Sequence, residues 1–483
     1  MRVRTRYAPS PTGYMHIGNL RTALYEYLIA KAQGGEFILR IEDTDRERLV
    51  EGAVDVIYST LKQVGMKHDE GPDVGGDFGP YIQSERKGIY LPYAKELVQK
   101  GEAYYCFCTK DRLDSLRESN EKEGKTNMYD RHCLSLSNEE IEENLANGVP
   151  YVIRQKTPDG GTTSFVDAVY GEIELENDMI EDQILVKSDM LPTYNFANVI
   201  DDHLMEITHV VRGSEYLTST PKYNLLYNAF GWDIPEYIHL PLITNAEGHK
   251  LSKRDGAVSF EQLVEDGYLP EAIVNYVVML GWSPETNDEM FSLSELEEIF
   301  KVSGISKSPS VFDYVKLRWF NKEYIKNMEE NDFHSVAEKY YDDIKEKTDI
   351  DTLKVSRLIH SRTELFSEIP EKIAFLSELP QYDTELFVHK KSKTTEELSL
   401  EALLKSLPII EGVDSWEEED IHSALFSLVA ELEWKNSQLL WPVRIAIAGT
   451  AVTPGGAIEI AYTLGKDECI RRMKIAIEKL EGK

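Results

Sequence analysis

Residues 7–19 constrain the fold of this chain more than any other stretch; they read Tyr7-Ala8-Pro9-Ser10-Pro11-Thr12-Gly13-Tyr14-Met15-His16-Ile17-Gly18-Asn19. The segment follows an alternating strand pattern over residues 3–7 and passes through proline and glycine turn residues into a helix that we predict to begin near Gly18. Junctions of this kind hold phosphates, because helix N-terminal amides favour negative charge and glycine lets a flat ligand approach the backbone. A nucleotide site is therefore expected here.

A second short signature, Lys250-Leu251-Ser252-Lys253-Arg254, lies far downstream. His16 can donate a hydrogen bond to a phosphate oxygen, and the two lysines can reach the same triphosphate from the opposite side. Each motif alone is weak, since His-Ile-Gly occurs often by chance and a lysine-rich turn is usually a solvated loop. Their order, and the strand before the first, favour a shared triphosphate site.

The length of 483 residues allows about three to five domains. A hydrophobic fraction of 42% and an aromatic fraction of 10% are typical of a globular protein. No apolar run approaches the roughly 18 residues of a membrane span, and the start Met1-Arg2-Val3-Arg4 lacks the apolar region of a signal peptide. We therefore expect no membrane association and a cytoplasmic location.

The formal net charge of -32 argues against a simple binder of polyanions, because phosphate contacts need clustered Lys and Arg. The excess of acid is uneven, however, since residues 1–110 carry equal numbers of basic and acidic side chains. RNA could still dock along a local basic track. Acidic runs such as residues 417–420 are read as solvated helix faces.

Strand and helix patterns alternate from Val3 to about Tyr105, with a strand near residues 37–41, and predict the first half of a doubly wound parallel sheet. The sequence pattern changes over residues 106–186, where a charged helix, a low-complexity stretch and short strands such as 166–175 are predicted, and it looks like that of an insertion. The sheet is expected to return near residues 192–212, before a helix at 220–230. The predicted fold is a Rossmann-like doubly wound sheet with an inserted α+β domain.

The pattern then becomes helical, with amphipathic units predicted at residues 269–282, 293–300 and 311–325. Helices continue to Lys483. Proline-bearing links near Pro370, Pro380 and Pro408 predict two successive helical bundles divided near Tyr382. The predicted segments are 1–105 and 187–255 for the two halves of the sheet domain, 106–186 for the insertion, 256–325 for a helical domain, and 326–381 and 382–483 for the bundles.

The two signatures resemble those of the class I aminoacyl-tRNA synthetases, His-Ile-Gly-His and Lys-Met-Ser-Lys-Ser. Further blocks are similar to bacterial glutamyl-tRNA synthetases and extend the resemblance along the chain: residues 8–13, 21–24, 40–46, 187–189, 192–194, 197–203, 312–313, 316–319, 441–444 and 464–466. Asn19, Leu251 and Arg254 depart from the general signatures in ways seen within the glutamyl group. Glutamine-specific relatives carry Asp-Asp-Thr-Asn where this chain has residues 42–45, Glu-Asp-Thr-Asp.

The resemblance implies a glutamate–tRNA ligase that uses ATP with Mg²⁺, makes glutamyl-adenylate from L-glutamate, and transfers glutamate to the 3′ end of tRNA(Glu) with release of AMP and pyrophosphate. It also implies a monomer, activation that waits for tRNA, an acceptor-binding insertion, a stem-contact domain at 256–325 and anticodon-binding bundles. One alternative is that tRNA(Gln) is charged as well. Others are a small-molecule nucleotidyltransferase, which rarely carries so many extra helices, and a non-catalytic RNA-binding paralogue.

Roles for single residues also follow from the resemblance. His16, Lys250 and Lys253 are the expected catalytic residues, and the ATP site adds Gly18, Asn19, Ser252 and Arg254. For the glutamate side chain the resemblance assigns two guanidinium groups, whose fork matches a carboxylate. The full glutamate pocket is expected to comprise Arg6, Arg212, the polar residues Ser10, Tyr194 and Asn198, and Glu42 as partner of the substrate ammonium.

Three of the four cysteines, Cys106, Cys108 and Cys133, fall within the predicted insertion. Without a secretory signal this spacing favours metal over a disulfide, and tetrahedral zinc needs a fourth ligand. Two candidates remain: Tyr129, which matches an unusual ligand in some relatives, and His132, the chemically commoner choice. The alternative is that the thiols are buried or free remnants of a lost site.

Overall fold

The computed structural model describes residues 2–44, 49–251 and 259–482. The chain divides into two compact units, Met1–Gln262 with Ile273–Asp313, and Leu263–Ala272 with Tyr314–Lys483. The described strands all lie in the first unit, which is mixed α/β, and the described elements of the second unit are helical.

Short strands build the sheets of the first unit: β1 (Arg4–Tyr7), β2 (Glu36–Leu39), β3 (Ala103–Cys106), β4 (Val152–Gln155), β5 (Thr162–Asp167), β6 (Gly171–Glu176), β7 (Ile184–Val186), β8 (His209–Gly213), β9 (Glu236–Leu240), β10 (Ile243–Thr244) and β11 (Ser310–Val311). Within the described residues they pair in the orders β1-β2, β3-β4-β7, β6-β5-β9-β8 and β10-β11.

Each of the two predicted halves of the sheet domain, residues 1–105 and 187–255, contains a pair of parallel strands. β1 runs parallel to β2, with Arg4 opposite Glu36, and β8 runs parallel to β9, with His209 opposite Glu236. A backbone bond of 3.0 Å from Thr208 N–H to Arg4 O places the start of β8 beside β1. Among the described residues, however, β1-β2 and β8-β9 belong to separate ladders, so the structure shows a mixed α/β unit with parallel strand pairs and not one continuous sheet.

The helices of the first part of the chain are α1 (Ile17–Ala32), α2 (Ala53–Gln63), α3 (Lys87–Lys100), α4 (Lys110–Lys122), α5 (Asn138–Ala146), α6 (Tyr194–Leu204), α7 (Thr220–Phe230), α8 (Phe260–Glu265), α9 (Pro270–Met279) and α10 (Leu293–Ile299). They are followed by α11 (Tyr314–Lys326), α12 (Glu330–Ala337), α13 (Asp342–Lys347), α14 (Thr352–Ile359), α15 (Ile369–Ser377), α16 (Glu396–Glu411), α17 (Glu418–Glu431), α18 (Asn436–Ala448), α19 (Ala457–Leu464) and α20 (Lys466–Leu480). Among the residues described, no helix combines the length and apolarity that a membrane crossing requires.

Two local predictions were wrong. Most of the stretch predicted to return to the sheet, residues 192–212, is helix α6, and only His209–Gly213 is strand. Pro408 lies inside α16 rather than in a link. The helix continues because buried Leu403 and Ile410 pack on either side of the proline, which outweighs one lost backbone bond. The predicted helix at residues 220–230 is confirmed as α7.

A buried arginine ties together the helices of the second unit. Arg472 of α20 is 1% exposed and donates to the carbonyl oxygens of Phe375 and Ile447, each at 2.7 Å, and of Leu376 at 3.3 Å. Its Nε donates to Glu468 at 2.6 Å. These carbonyls lie at the ends of α15 and α18, so one side chain satisfies backbone groups of two neighbouring helices.

Replacing Arg472 by Met should therefore lower the free energy of unfolding of the second unit by about 3–5 kcal/mol, since buried carbonyls and Glu468 lose their donor. The neighbouring Arg471 is exposed and pairs with the same carboxylate, so Arg471→Met is a matched control expected to cost about 0.5 kcal/mol or less. Urea unfolding followed by far-UV circular dichroism measures both. Equal losses would contradict the stated role of Arg472.

Candidate active site

His16 caps the helix that opens the predicted nucleotide site. Its backbone is extended, and its Nδ1 accepts the Gly18 N–H at 3.0 Å, one residue after α1 begins at Ile17. A neutral ring with Nδ1 as acceptor carries its proton on Nε2, where it can be donated. A Cβ at Gly18 would lie 3.3 Å from Nδ1 of His16, so glycine leaves the ring in its capping position.

Lys250, the first residue of the second signature, and the residues that follow the signature from Ser259 onward lie close to the His16 junction or to Glu215 beside it. Lys250 pairs with Thr244 in an antiparallel bridge, and its Nζ lies 3.8 Å from Oε1 of Glu215. After the signature, Ser259 pairs with His16, and the Phe260 N–H donates to Met15 O at 2.9 Å. Three residues with predicted ATP-site roles lie outside the described residues: Ser252, Lys253 and Arg254.

Glu261, in helix α8 after the second signature, adds a side-chain link to the first signature. Its Oε2 accepts the Met15 N–H at 3.0 Å, and its Oε1 accepts from Thr60 of α2 at 2.7 Å. The backbone just before His16 is therefore held from two directions.

Five buried charged side chains form the floor beneath the junction. Arg6 donates to Asp202 at 3.0 Å and to Glu26 at 2.9 Å, while Arg40 donates to the same Asp202 oxygen at 2.8 Å and to Glu42 at 3.0 Å. Burial alone would raise the pKa of Asp202, but the charges of Arg6 and Arg40 bring it below the usual value. Burial raises the pKa of Glu26 and Glu42 in spite of the same arginines. Asp202 is therefore the most firmly ionised carboxylate of the floor.

Arg212, at the end of β8, is held by a buried histidine. Its Nε donates to Nε2 of His239 at 3.2 Å, and its Nη2 donates to the Thr220 hydroxyl at 2.8 Å. The other histidine nitrogen, Nδ1, lies 2.6 Å from the Asp167 carboxylate. Aromatic rings surround the guanidinium at centroid distances of 5.2, 4.6 and 5.2 Å, from Tyr216, Tyr223 and Tyr237.

The protonation of His239 follows from its surroundings. Burial lowers its pKa below the ordinary value of 6.5, although Asp167 opposes the shift. The ring is thus neutral near pH 7, with its proton on Nδ1 toward Asp167 and Nε2 open to accept from Arg212. Asp167 and His239 orient Arg212 without adding positive charge beside it.

A cavity of about 840 Å³ joins these parts. It is lined by nine of the predicted site residues: Arg6, Ser10, His16, Gly18, Asn19, Glu42, Tyr194, Arg212 and Lys250. Asn198 does not line it, but lies one turn after Tyr194 on α6, buried, with an amide nitrogen that has no hydrogen-bond partner among the described residues.

Several residues of this site were missed from the sequence. Glu26 lines the cavity and could have been found, because it is a carboxylate in an otherwise apolar stretch of α1. Asp167, Thr220 and His239 carry no such signal, since each acts only through contacts between distant parts of the chain.

The predicted zinc residues lie together in the first unit. The sulfur atoms of Cys106, Cys108 and Cys133 are all within 4.8 Å of one another. The Tyr129 hydroxyl lies 3.4 Å from Sγ of Cys106 and 3.3 Å from Sγ of Cys108. His132 is exposed and does not join them. Hydrogen bonding with Cys133 lowers the pKa of the Cys106 thiol, so one sulfur of the group is readily ionised.

If Arg212 binds the glutamate side chain, as the resemblance implies, and His239 positions it, His239→Phe should raise the KM for glutamate about tenfold while the KM for ATP stays within about twofold, because one hydrogen bond to a charged group is lost. In the native protein the KM for glutamate should show no inflection near pH 6.5, since the pKa of His239 is lowered. Steady-state kinetics at several pH values measure both.

His203→Phe is the matched control, because His203 stacks on Trp232 and does not line the cavity. A glutamate KM raised equally in both variants, or raised in neither, would contradict the positioning role of His239.

Comparison with known proteins agrees with this architecture along the whole chain. Residues 2–319 match the family described as tRNA synthetases class I (E and Q), catalytic domain, and residues 320–477 match the anticodon binding domain family. The glutamate–tRNA ligase of Clostridium tetani (strain Massachusetts / E88) is 58% identical over 481 residues, covering 100% of this chain and 98% of the relative. That of Clostridium botulinum (strain Eklund 17B / Type B) is 60% identical over 482 residues, covering 99% of each chain.

Solved structures give the same result. A crystal structure of a glutamate tRNA ligase from Elizabethkingia meningosepticum CCUG26117, in complex with its amino acid, superposes with a TM-score of 0.91 at 35% identity and covers 99% of this chain and 100% of that chain. The glutamate-tRNA synthetase of Elizabethkingia anophelis gives a TM-score of 0.89 with the same identity and coverage.

The mixed α/β unit with its nucleotide-type junction and the helical unit that follows are those of a class I aminoacyl-tRNA synthetase. The chain belongs to the glutamate and glutamine group of that class, and its full-length relatives within the group are glutamate–tRNA ligases. These matches favour neither the nucleotidyltransferase nor the non-catalytic alternative.

Proposed function

We propose that this chain activates L-glutamate at the 840 Å³ cavity and transfers it to tRNA(Glu). The overall activity is that of a glutamate–tRNA ligase: ATP is consumed, glutamyl-adenylate is formed, and AMP and pyrophosphate are released. The observation that carries the residue assignments is that two held arginines, the capping histidine and Lys250 line one cavity.

Activation requires the α-carboxylate of glutamate to attack the α-phosphorus of ATP and expel pyrophosphate. The enzyme must therefore align two anions and absorb developing negative charge, and no protein nucleophile is needed. In our proposal His16 donates from Nε2 to a phosphate oxygen, and the amides at the start of α1, near Gly18 and Asn19, face the α- and β-phosphates. Mg²⁺ arrives bound to ATP and supplies charge neutralisation.

Lys250 and Lys253 are proposed to bind the leaving pyrophosphate, together with Ser252 and Arg254. The support for Lys250 is its position on the cavity wall, where Glu215, at 3.8 Å, is the one carboxylate of the described residues within ion-pair distance of its ammonium group. The role of the remaining three rests on the sequence signature and on the anchoring of Ser259 beside His16.

We propose that Arg6 and Arg212 bind the side-chain carboxylate of glutamate. Each would use the one guanidinium nitrogen that is not bonded to a described protein group. Arg6 engages Nε and Nη1 with carboxylates, and Arg212 engages Nε and Nη2 with His239 and Thr220. Among the described residues no hydrogen bond reaches the remaining Nη2 of Arg6 or Nη1 of Arg212, although both side chains line the cavity. Two fixed donors of this kind match the two acceptor oxygens of the glutamate side-chain carboxylate. A glutamine side chain would place its amide NH₂, which is also a donor, against them, and those donors would stay unpaired.

The substrate ammonium is assigned to Glu42, whose Oε1 accepts both bonds from Arg40 while its Oε2 has no hydrogen bond with a described residue. Ser10 and Tyr194 complete the wall of the proposed glutamate pocket. Asn198, which is buried one turn after Tyr194 on α6, is proposed as a further polar residue of this pocket.

Pyrophosphate exchange tests this proposal as a whole. We expect exchange with glutamate in the presence of tRNA, little without tRNA, and none with glutamine. Lys250→Ala and Lys253→Ala should each lower the exchange rate about a hundredfold or more, because a cation facing the leaving group is lost, while tRNA binding is retained.

Lys339→Ala, which removes a lysine of the second unit that stacks on Tyr340, is the control and should leave exchange unchanged. Exchange only with glutamine would overturn the substrate assignment. Near-native rates in both signature variants would overturn the role of the lysines.

The cysteine group is proposed to hold a structural Zn²⁺ with Tyr129 as fourth ligand. Tetrahedral zinc with Zn–S near 2.3 Å and Zn–O near 2.0 Å places ligand atoms about 3.5–3.8 Å apart. The contacts of Tyr129 at 3.3 and 3.4 Å and the Cys108–Cys133 distance of 3.5 Å are close to those spacings. The Arg154 guanidinium lies 4.0 Å from the Tyr129 ring centroid. Burial raises the pKa of the Tyr129 hydroxyl, so Zn²⁺ itself would have to supply the charge that favours a phenolate.

Purified native protein should therefore contain about one zinc per chain after dialysis against a weak chelator. Cys106→Ser should lose the metal and Tyr129→Phe should release it at lower chelator concentration, since one ligand is missing in each. His132→Ala, which changes the residue next to Cys133 in the sequence, should retain it. Elemental analysis decides the question, and native protein without stoichiometric zinc would end the assignment.

We also propose the following domain assignments, oligomeric state and location for this chain. They are a doubly wound sheet formed by residues 1–105 and 187–255, an acceptor-binding insertion at 106–186, a stem-contact domain at 256–325, anticodon-binding bundles at 326–381 and 382–483, a monomeric state and a cytoplasmic location. Charging of tRNA(Gln) in addition to tRNA(Glu) also stays open. Aminoacylation of each purified tRNA answers that last question.

A further inference from the structure

We infer that a rigid lysine turn in the second unit, residues 388–394, binds the phosphate backbone of the tRNA anticodon arm. This inference rests on tRNA being the substrate and adds a contact surface outside the catalytic cavity. We call the segment the lysine turn; its sequence is Val388-His389-Lys390-Lys391-Ser392-Lys393-Thr394.

The lysine turn is closed by its own hydrogen bonds. His389 and Thr394 pair as an antiparallel bridge, with N–H to O distances of 3.3 and 3.2 Å. The Ser392 hydroxyl lies 2.8 Å from Nδ1 of His389, and the Thr394 hydroxyl donates to Phe387 O at 2.7 Å. Ser392 and Thr394 are buried, whereas Lys390, Lys391 and Lys393 are exposed. The polar groups of the turn thus face inward and the three ammonium groups outward.

Stacking fixes the turn to helix α18. The His389 ring lies parallel to the Trp441 ring at a centroid distance of 3.8 Å and an angle of 5°. Trp441 in turn donates from Nε1 to Leu386 O at 3.0 Å, just before the turn. The Arg444 guanidinium lies 4.6 Å from the same ring centroid. The lysines are therefore presented from a backbone that is ordered before any ligand binds, which lowers the entropy cost of binding.

The charge of the turn is unusual for this protein. With a formal net charge of -32, most exposed cations of the second unit have a carboxylate partner, such as Lys345 with Glu338 at 3.0 Å and Lys474 with Glu411 at 2.9 Å. Among the described residues, none of the three lysines of the turn lies within ion-pair distance of a carboxylate. Three adjacent uncompensated charges repel one another, and a bound polyanion relieves that repulsion.

An RNA backbone fits this surface better than a single small anion. The three lysines are spread over a short exposed turn without a cavity, so they match phosphates spaced along a strand. Arg444 borders the turn, where its guanidinium packs on Trp441 and adds a cation to those of the three lysines. The turn and both of these residues lie within residues 320–477, which match the anticodon binding domain family.

The test is the salt dependence of tRNA(Glu) binding to the full-length protein. The triple variant Lys390→Gln, Lys391→Gln, Lys393→Gln should reduce the slope of log K against log salt by about two units, since each lost phosphate contact accounts for about 0.7–0.9. The KM for tRNA at about 0.15 M salt should rise about tenfold or more, while the KM for glutamate and for ATP stays unchanged.

Two further triple variants make the result specific. Lys345→Gln, Lys405→Gln, Lys474→Gln removes the same net charge from lysines that already have carboxylate partners, and should leave the slope near the wild-type value. Replacing the three turn lysines by Arg keeps the charge and should keep the slope. An unchanged slope in the first variant, or an equal reduction in the control, would overturn the inference. Wild-type protein that charges no tRNA would instead refute the proposed function.

Discussion

The proposed catalytic cavity depends on a set of buried charged side chains, some of which line its wall. Arg6 and Arg40 share Asp202, and each also binds a glutamate, so two cations and three acidic side chains lie within a few ångströms of one another. Removing one partner from such a group leaves an uncompensated buried charge, which costs about 3–5 kcal/mol. The floor is therefore locked, and its arginines cannot turn away to follow a ligand. Specificity for an anionic side chain requires this rigidity.

Hydrogen bonds within the protein also fix the groups that lie above this buried floor. Arg212 is fixed by a neutral histidine, which is fixed by Asp167, and His16 is fixed by the Gly18 amide in the first turn of the helix that it caps. Each of these groups, which we propose to meet the substrate, is held in place by a hydrogen bond within the protein. Donors oriented before binding lose little entropy and need no reorganisation when charge develops.

The sequence predicted what is local and missed what is distant. His16 and Gly18 are two residues apart, so the capping junction could be recognised from the chain itself, and α7 was predicted at its observed bounds. Asp167 and His239 are 72 positions apart and meet only because β5 and β9 are neighbours. Pro408 signals a break by local rules, yet its helix continues because packing on both sides decides the outcome. The sequence leaves Tyr129 and His132 as alternative candidates for a fourth ligand, and the fold places the tyrosine hydroxyl, rather than the histidine, against two of the three sulfur atoms.

The most direct test of this account is a crystal structure of the protein with a non-hydrolysable analogue of glutamyl-adenylate. We predict that the side-chain carboxylate of the analogue contacts Arg6 and Arg212, that its ammonium group lies by Glu42, and that its phosphate-equivalent group accepts from Nε2 of His16. An analogue bound with its carboxylate away from both arginines, or with His16 and Lys250 facing different cavities, would contradict the central claim that one cavity performs activation.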